Sequence, residues 1–401
     1  MYDVGFGDCF LLLVPSEDGY RKILFDCGSI AIGSVPLDKV VTRVIEDVKD
    51  SDGVPRIDVV VATHRHKDHV EGFANAAWQR VEVKEVWLPW TENPEDPLAA
   101  EIRSAQSSLA LHLGTALDHR LGVAGLGAAE RGLLEGYRLM ANNAMSNEQA
   151  METLHDGFRR RALRRFLPTP VAGEATFETE ALPEVIVHVL GPSRDERVIR
   201  DMDPPAGRSY LRMIEDRNKA GGVPEPFSGS WWVEPEELGT VNAGHLVLSP
   251  EDRRAIDQVG TGLEETLAAT LENSVNGTSL MLLLQIGGSY LLFPGDAQWG
   301  TWQSAMVDPD WRKLMQRTIF YKIGHHGSHN ATPKEFVEQI VGRDFWAMAS
   351  TRHRGSWPIP KPELMTALHK RSKKIARSDE MKKVKAPFTA SAGYVEASIP
   401  V

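Results

Sequence analysis

A largely β-branched run, Ile57 to Ala62 with Asp58 its one polar residue, ends directly in Thr63-His64-Arg65-His66-Lys67-Asp68-His69. A mainly apolar run of that length reads as a strand buried on both faces. Four metal-capable side chains then fall within six residues at its end. In a loop leaving a strand, His64 and His66 can share one side and aim at one metal. Asp68 and His69, one turn further on, can aim at a second. Imidazole nitrogen with carboxylate oxygen is a donor set for zinc, manganese or iron.

Two more strand ends carry chemistry. Ser279 to Ile286 and Tyr290 to Phe293 read as a hairpin closed by Gly287-Gly288, and Phe293-Pro294-Gly295-Asp296-Ala297 follows it. A carboxylate has two oxygens, so Asp296 can bridge two cations. Ile319 to Ile323 reads as a strand running into Gly324-His325-His326-Gly327-Ser328. That histidine pair suits one ligand and one substrate-facing group, and the residues alone do not separate the two.

The rest of the chain frames these ends. Phe10 to Val14 and Lys22 to Phe25 read as a hairpin turning at Pro15 to Gly19. Leu37 to Val48 has helical spacing, Val81 to Leu88 is a strand closed by Pro89, Val185 to Leu190 is a strand, Phe345 to Ser350 another, and Pro362 to Ser372 a helix. Residues 95–168 carry Ala, Leu, Glu and Arg at helical periods and read as an inserted set of two or three helices. Residues 200–262 are rich in Pro and Gly and read as a second, loop-rich insertion. Strands alternating with helices point to an α/β layered architecture, with all 401 residues in one domain carrying the two insertions.

Composition narrows the possibilities. The 42% hydrophobic and 25% charged residues are those of a globular chain. With a formal net charge of −10, a global basic field for nucleic acid is excluded, although local patches are not. Two cysteines, Cys9 and Cys27, exclude a disulfide framework or a Cys-rich zinc module and read as buried small hydrophobes. The longest apolar runs fall far short of the ~18 residues of a membrane span, and no secretory leader precedes the first strand, so a cytoplasmic location is expected. Because the chain enters a strand almost at Met1, a preceding strand or leader is expected upstream.

Taken together, these motifs resemble the metallo-β-lactamase superfamily, whose signature is the His-x-His-x-Asp-His block. Asp3-Val4-Gly5-Phe6-Gly7-Asp8 is similar to the Asp-Val-Gly-Gln-Gly-Asp motif of ComEC-like hydrolases. Phe25-Asp26-Cys27-Gly28, Asn276 to Leu284 with Pro294-Gly295-Asp296, and His325-His326-Gly327-Ser328 resemble that group's further motifs, in family order. The resemblance implies an αββα sandwich with two divalent metal ions, zinc or manganese, at the strand ends along one edge. It implies His64 and His66 on one metal, Asp68 and His69 on the other, and Asp296 bridging. His325 is taken as the late ligand, with His326 lining the substrate pocket. Asp68 and His326 are the implied catalytic residues, and Asp26, Asp8 and Asn276 stand around the ligands. Where many members carry a further histidine ligand, this chain has Asn276, and His188 is a candidate substitute.

The resemblance further implies a phosphodiesterase, with DNA or RNA as possible polymeric substrates. The rivals are a hydrolase of a lactone or thioester, and a metal-binding scaffold recognising a protein partner. Arg159, Arg160, Arg161, Arg164 and Arg165 form one basic run. Residues 361–385 form another, with nine Lys or Arg against three acidic residues. Either could track a phosphate backbone. Trp231, Trp232, Trp299 and Trp302 could stack bases.

Overall fold

The computed structural model describes residues 1–401 apart from 31, 32, 34, 123, 124, 146, 170–174, 203, 206, 207, 210–263, 265, 266, 329 and 353–358. Most of the loop-rich reading of residues 200–262, with Trp231 and Trp232, lies outside the described residues.

The described residues form fourteen strands, β1 to β14 in chain order. β1 (Phe10–Ser16), β2 (Gly19–Phe25), β3 (Arg56–Val61), β4 (Glu82–Pro89) and β5 (Leu163–Leu167) form one sheet in that order. A seven-stranded sheet runs β12 (Lys374–Arg377), β11 (Trp346–Ala349), β10 (Thr318–Lys322), β9 (Ser289–Phe293), β8 (Met281–Ile286), β7 (Leu182–Gly191), β6 (Thr176–Thr179). β13 (Phe388–Ser391) and β14 (Tyr394–Ala397) make a separate hairpin.

The two large sheets pack face to face. Phe10, Ile23, Phe25, Val59, Val61 and Trp87 from one meet Val187, Leu282, Leu284, Leu291, Phe293 and Phe320 from the other. Phe25 and Phe293 stack with centroids 3.9 Å apart and planes 4° from parallel. Helices cover both outer faces. Helix Leu37–Asp47 buries Val40, Val41, Val44 and Ile45 against the first sheet, a stripe of helical period. Helices Trp299–Val307 and Pro362–Arg371 do the same for the second. The fold is therefore an αββα sandwich. No helix among the described residues is long and apolar enough to cross a membrane.

Several elements differ from the sequence reading. The first hairpin is longer, leaving only Glu17 and Asp18 as its turn. Residues 95–168 supply helices Pro97–Leu121, Ala128–Ala144 and Glu148–Glu152, but their end, Leu163–Leu167, is the edge strand β5. Its sequence has no β-branched residue; pairing with β4 and the bidentate contact of Arg165 with Glu85 (2.7 and 3.1 Å) override its weak strand propensity. Trp299 and Trp302 are buried in the second sheet's outer core and unavailable for stacking on bases.

What places the site is strand direction. β2, β3, β4 and β5 are mutually parallel, as are β9, β10, β11 and β12. Asp26, Thr63, Asp296, His325 and Ser350 follow the carboxyl ends of β2, β3, β9, β10 and β11. In open parallel sheets that edge is where the loops can converge.

Candidate metal centre

The Gly-containing motifs are packing devices. The Asp8 N–H donates to the Asp68 carbonyl at 2.9 Å, Cys27 N–H to the His69 carbonyl at 2.8 Å, and Gly28 N–H to the Asp8 carbonyl at 3.0 Å. A Cβ on Gly28 would lie 2.4 Å from the backbone of Asp68 and His69, so only glycine lets these loops touch. Leu280 N–H donates to the Thr63 carbonyl at 2.8 Å, tying the approach to β8 to the same loop. Asp26, His325 and His326 have φ of 53°, 44° and 54°, a region uncommon for residues other than glycine and concentrated at functional sites.

His64, His66, Asp68, His69, Asp296 and His326 are all buried, and their donor atoms fall into overlapping groups: His64, His66 and Asp68; His64, His69 and Asp296; Asp68, His69 and His326. His64 Nε2 is 3.1 Å from His66 Nδ1. His69 Nε2 is 3.2 Å from Asp296 Oδ2, and His326 Nε2 is 3.1 Å from Asp68 Oδ2. Asp8, Asp26 and His69 make a further group beneath.

The opposite ring nitrogens show how the histidines are held. His69 Nδ1 lies 2.8 Å from Asp26 Oδ2, and His326 Nδ1 lies 2.8 Å from the Ser350 carbonyl. Thr63 donates its hydroxyl to Asp26 (2.8 Å) and its N–H to the same carboxylate (2.7 Å), leaving the hydroxyl oxygen to accept from His64 Nδ1 at 3.2 Å. These partners fix which nitrogen is free to ligate. Each of the three rings so tied turns Nε2 into the cluster.

His325 is placed differently from His326. Its backbone N–H donates to Asp296 Oδ1 at 3.1 Å, its Nδ1 meets Ser328 Oγ at 2.9 Å, and its Nε2 stays 3.9 Å from Asp296. Its side chain is 13% exposed, against 0% for His326, and it joins none of the donor groups. The placement runs opposite to the expected split, with His326 among the donors and the more exposed His325 outside them. The aromatic ring of Phe6, standing where the ComEC-like motif has glutamine, lies 4.4 Å from that of His326.

The electrostatics are dominated by buried carboxylates. Asp8, Asp26, Asp68 and Asp296 are all within 2% of full burial. Among the described residues, their ion pairs with lysine or arginine run only to Lys322, which contacts Asp8 closely and Asp296 at 3.5 Å. Burial pushes the His64 imidazole well below its usual range, and His66 to about 4. For His69, burial acts the same way but is outweighed by Asp296, Asp26 and Asp68, which hold its pKa well above the usual value. Burial works to raise Asp68 and is overcome by His69 and His326, so its carboxyl sits well below the usual range.

Asn276 is fully buried at the end of the helical segment 267–276, and its side-chain amide has no hydrogen-bond partner among the described residues. His188 does not join the cluster. It sits on β7, with Nδ1 3.0 Å from Thr176 Oγ1 and Nε2 3.2 Å from Gln285 Oε1.

Four further residues at the site were not singled out in the sequence. Lys322 had a signal, an ammonium ending an apolar strand just before the histidine pair, and Thr63 opened the signature block itself. Glu272 and Asn143 had none. Glu272 Oε2 lies 3.9 Å from His66 Nε2, and burial, then the charges of Asp68 and Asp296, push its pKa up. Asn143, on helix Ala128–Ala144, accepts from the Asp68 N–H at 3.2 Å, and Asn147 donates to the Arg65 carbonyl at 2.6 Å.

The basic runs lie mostly elsewhere. Arg159, Arg160 and Arg161 precede β5, and Lys370, Arg371 and Lys373 precede β12, at the amino ends of parallel strands and opposite the site, whereas Arg377 ends β12 and Lys382, Lys383 and Lys385 follow its carboxyl end. Arg159 and Arg160 face Glu82, Arg161 and Arg164 face Asp156, and Lys374 pairs with Asp344.

No family model and no curated protein matches the chain. Among solved structures, the chain is similar to zinc-bound PqqB from Methylobacterium extorquens, with a TM-score of 0.37 and 10% identity over 93% of this chain and 85% of that one.

Proposed function

We propose that the chain is a metal-dependent hydrolase of the metallo-β-lactamase superfamily, similar to its ComEC-like branch, and that its substrate is a small phosphodiester. The observation that carries the reading is the convergence of Asp8, Asp26, Asp68 and Asp296 with four buried histidines around one ammonium. Buried carboxylates in such excess call for cations. Asp68 Oδ1 and His66 Nε2 are buried with no hydrogen-bond partner among the described residues, and imidazole with carboxylate is the donor chemistry of zinc and manganese. The residues present therefore fit two divalent ions. His64 and His66 would hold one, Asp68, His69 and His326 the other, and Asp296 would reach both. The role of late ligand thus passes from His325 to His326.

Bound as a pair, such ions lower the pKa of water and clamp the oxygens of a displacement. The chain's own residues supply the rest. Asp68 orients the attacking water through Oδ1, which accepts from no donor among the described residues. Asp26 and Ser350 keep His69 and His326 in the tautomers that turn Nε2 inward. Lys322 offsets part of the negative charge below. His325, with Nε2 3.9 Å from Asp296 and Nδ1 against Ser328, stands beside the donors and is the group we assign to the leaving oxygen.

A small substrate is favoured over DNA or RNA because Arg159, Arg160, Arg161, Lys370, Arg371 and Lys373 lie at the far edge, and Arg159, Arg160, Arg161, Arg164, Arg165 and Arg377 face acids. The test is one panel: protein loaded with manganese or zinc, assayed on bis-p-nitrophenyl phosphate, single-stranded and double-stranded DNA, RNA and a lactone. Turnover of the small diester above the polymers supports the reading. Turnover of the lactone alone replaces it with a carbon-ester hydrolase, and inertness on every substrate ends it.

A further inference from the structure

Every buried histidine that turns one nitrogen into the cluster must place the other. His69 uses Asp26, His326 uses the Ser350 carbonyl, and His64 uses Thr63. His66 is the exception. Its Nδ1 faces His64 Nε2 at 3.1 Å, and its Nε2 is buried with no hydrogen-bond partner among the described residues. If Nδ1 ligates, Nε2 carries the proton and needs an acceptor, since an unmet buried donor costs about 1–3 kcal/mol.

One acceptor is aimed at it. Glu272 Oε2 stands 3.9 Å from His66 Nε2, and this oxygen too is buried with no hydrogen-bond partner among the described residues. Glu272 joins His66 in no group of donors that could surround one ion. It faces Nε2, whereas His64 faces the other ring nitrogen, Nδ1. The carboxylate arrives on the segment 267–276, whose Ala268, Leu271 and Val275 pack against Leu113, Leu117 and Leu134 of the inserted helices. Gln106 of those helices donates to the Ser274 carbonyl at 3.1 Å. The Asn143 side chain lies against the Glu272 carboxylate and favours its charged form.

We propose that Glu272 is a positioning residue for His66. Its carboxylate accepts the Nε2–H once the 3.9 Å gap closes, and so presents Nδ1 to the ion shared with His64. The inserted helices, through Asn143, then belong to the metal centre. They brace Glu272 and hold the Asp68 backbone. This rests on the metal reading proposed above and assigns a residue within it.

The test uses cobalt(II) as the probe on the full chain, read by its visible d–d bands and by competition with a chelator, with thermal melts of the metal-free proteins alongside. The wild-type chain is expected to bind cobalt with d–d bands. Glu272→Ala should weaken the tighter site by about 10–100-fold, the usual effect of removing a carboxylate behind a ligating histidine, and shift the bands. Glu272→Gln, whose amide oxygen can still accept the Nε2–H, should retain most of the affinity and the spectrum. Matching melts exclude a folding defect, and if Glu272→Ala fails to fold, the comparison of Glu272→Gln with wild type decides alone. Loss in Glu272→Gln equal to that in Glu272→Ala would make Glu272 a ligand and overturn the positioning role. An unchanged affinity and spectrum in Glu272→Ala would overturn it too. A wild-type chain that binds no cobalt would remove the metal reading itself, a result distinct from either.

Discussion

His326 Nε2 and Asp68 Oδ2 stand 3.1 Å apart, although 258 residues separate them in the chain. The contact closes the sandwich edge, joining the loop after β3 to the loop after β10. It also distinguishes the two adjacent histidines. His326→Ala should lose close to one metal ion per chain by elemental analysis and fall to background turnover. His325→Ala should keep its metal and lose turnover chiefly in kcat. Equal metal loss in the two variants would contradict this division.

Asn143 offers a second check on the inserted helices. Its side-chain oxygen accepts the Asp68 N–H, a buried donor with few alternatives. Asn143→Ala should lower stability by about 1–3 kcal/mol and weaken metal binding, both measured by denaturant titration with and without zinc. An effect confined to the surface of the helices, with neither quantity moved, would detach the insertion from the site.

Lys322 is buried with Asp8 and Asp296. Lys322→Met leaves these carboxylates without their ammonium and should destabilise the metal-free protein by about 3–5 kcal/mol, the cost of breaking a buried pair. Lys322→Met with Asp8→Asn should recover part of the loss, because the uncompensated charge is then removed. A double variant as unstable as the sum of the singles would show that the pair is not coupled.

The two sheets meet at the Phe25–Phe293 stack. Phe293→Ala should cost about 3–5 kcal/mol, seen as a lower midpoint in urea. Phe293→Leu, which keeps most of the volume, should cost less than half as much. Identical midpoints would remove the stack from the core's energetics.

Lys370 and Lys373 are exposed at the edge opposite the site. Reversing both to Glu should leave turnover of a small phosphodiester unchanged, and should leave any activity on DNA or RNA with the same salt dependence. A steep fall in polymer binding in the double variant would return nucleic acid to the first place among substrates.

Much of this molecule is local chemistry, and the sequence carries it. The β-branched run before His64, the hairpin closed by Gly287-Gly288 and the strand before His325 follow from burial and turn preference over a few residues, so the strands and their reactive ends were legible. So was the meeting of His64, His66, Asp68 and His69, because six residues of chain cannot separate them far. What the sequence could not determine depends on register and burial at long range. Neighbours in sequence, His325 and His326 part because their left-handed backbone sends one ring under Phe6 and the other toward Ser328. Glu272 and Asn143 come from helices whose own periodicity speaks only of packing, and only the docking of those helices turns their polar side chains onto the loop after β3. Leu163–Leu167 became a strand because β4 offered it an edge. The arginines beside it, basic by composition, were carried to the wrong end of the sheet by the direction in which that strand must run.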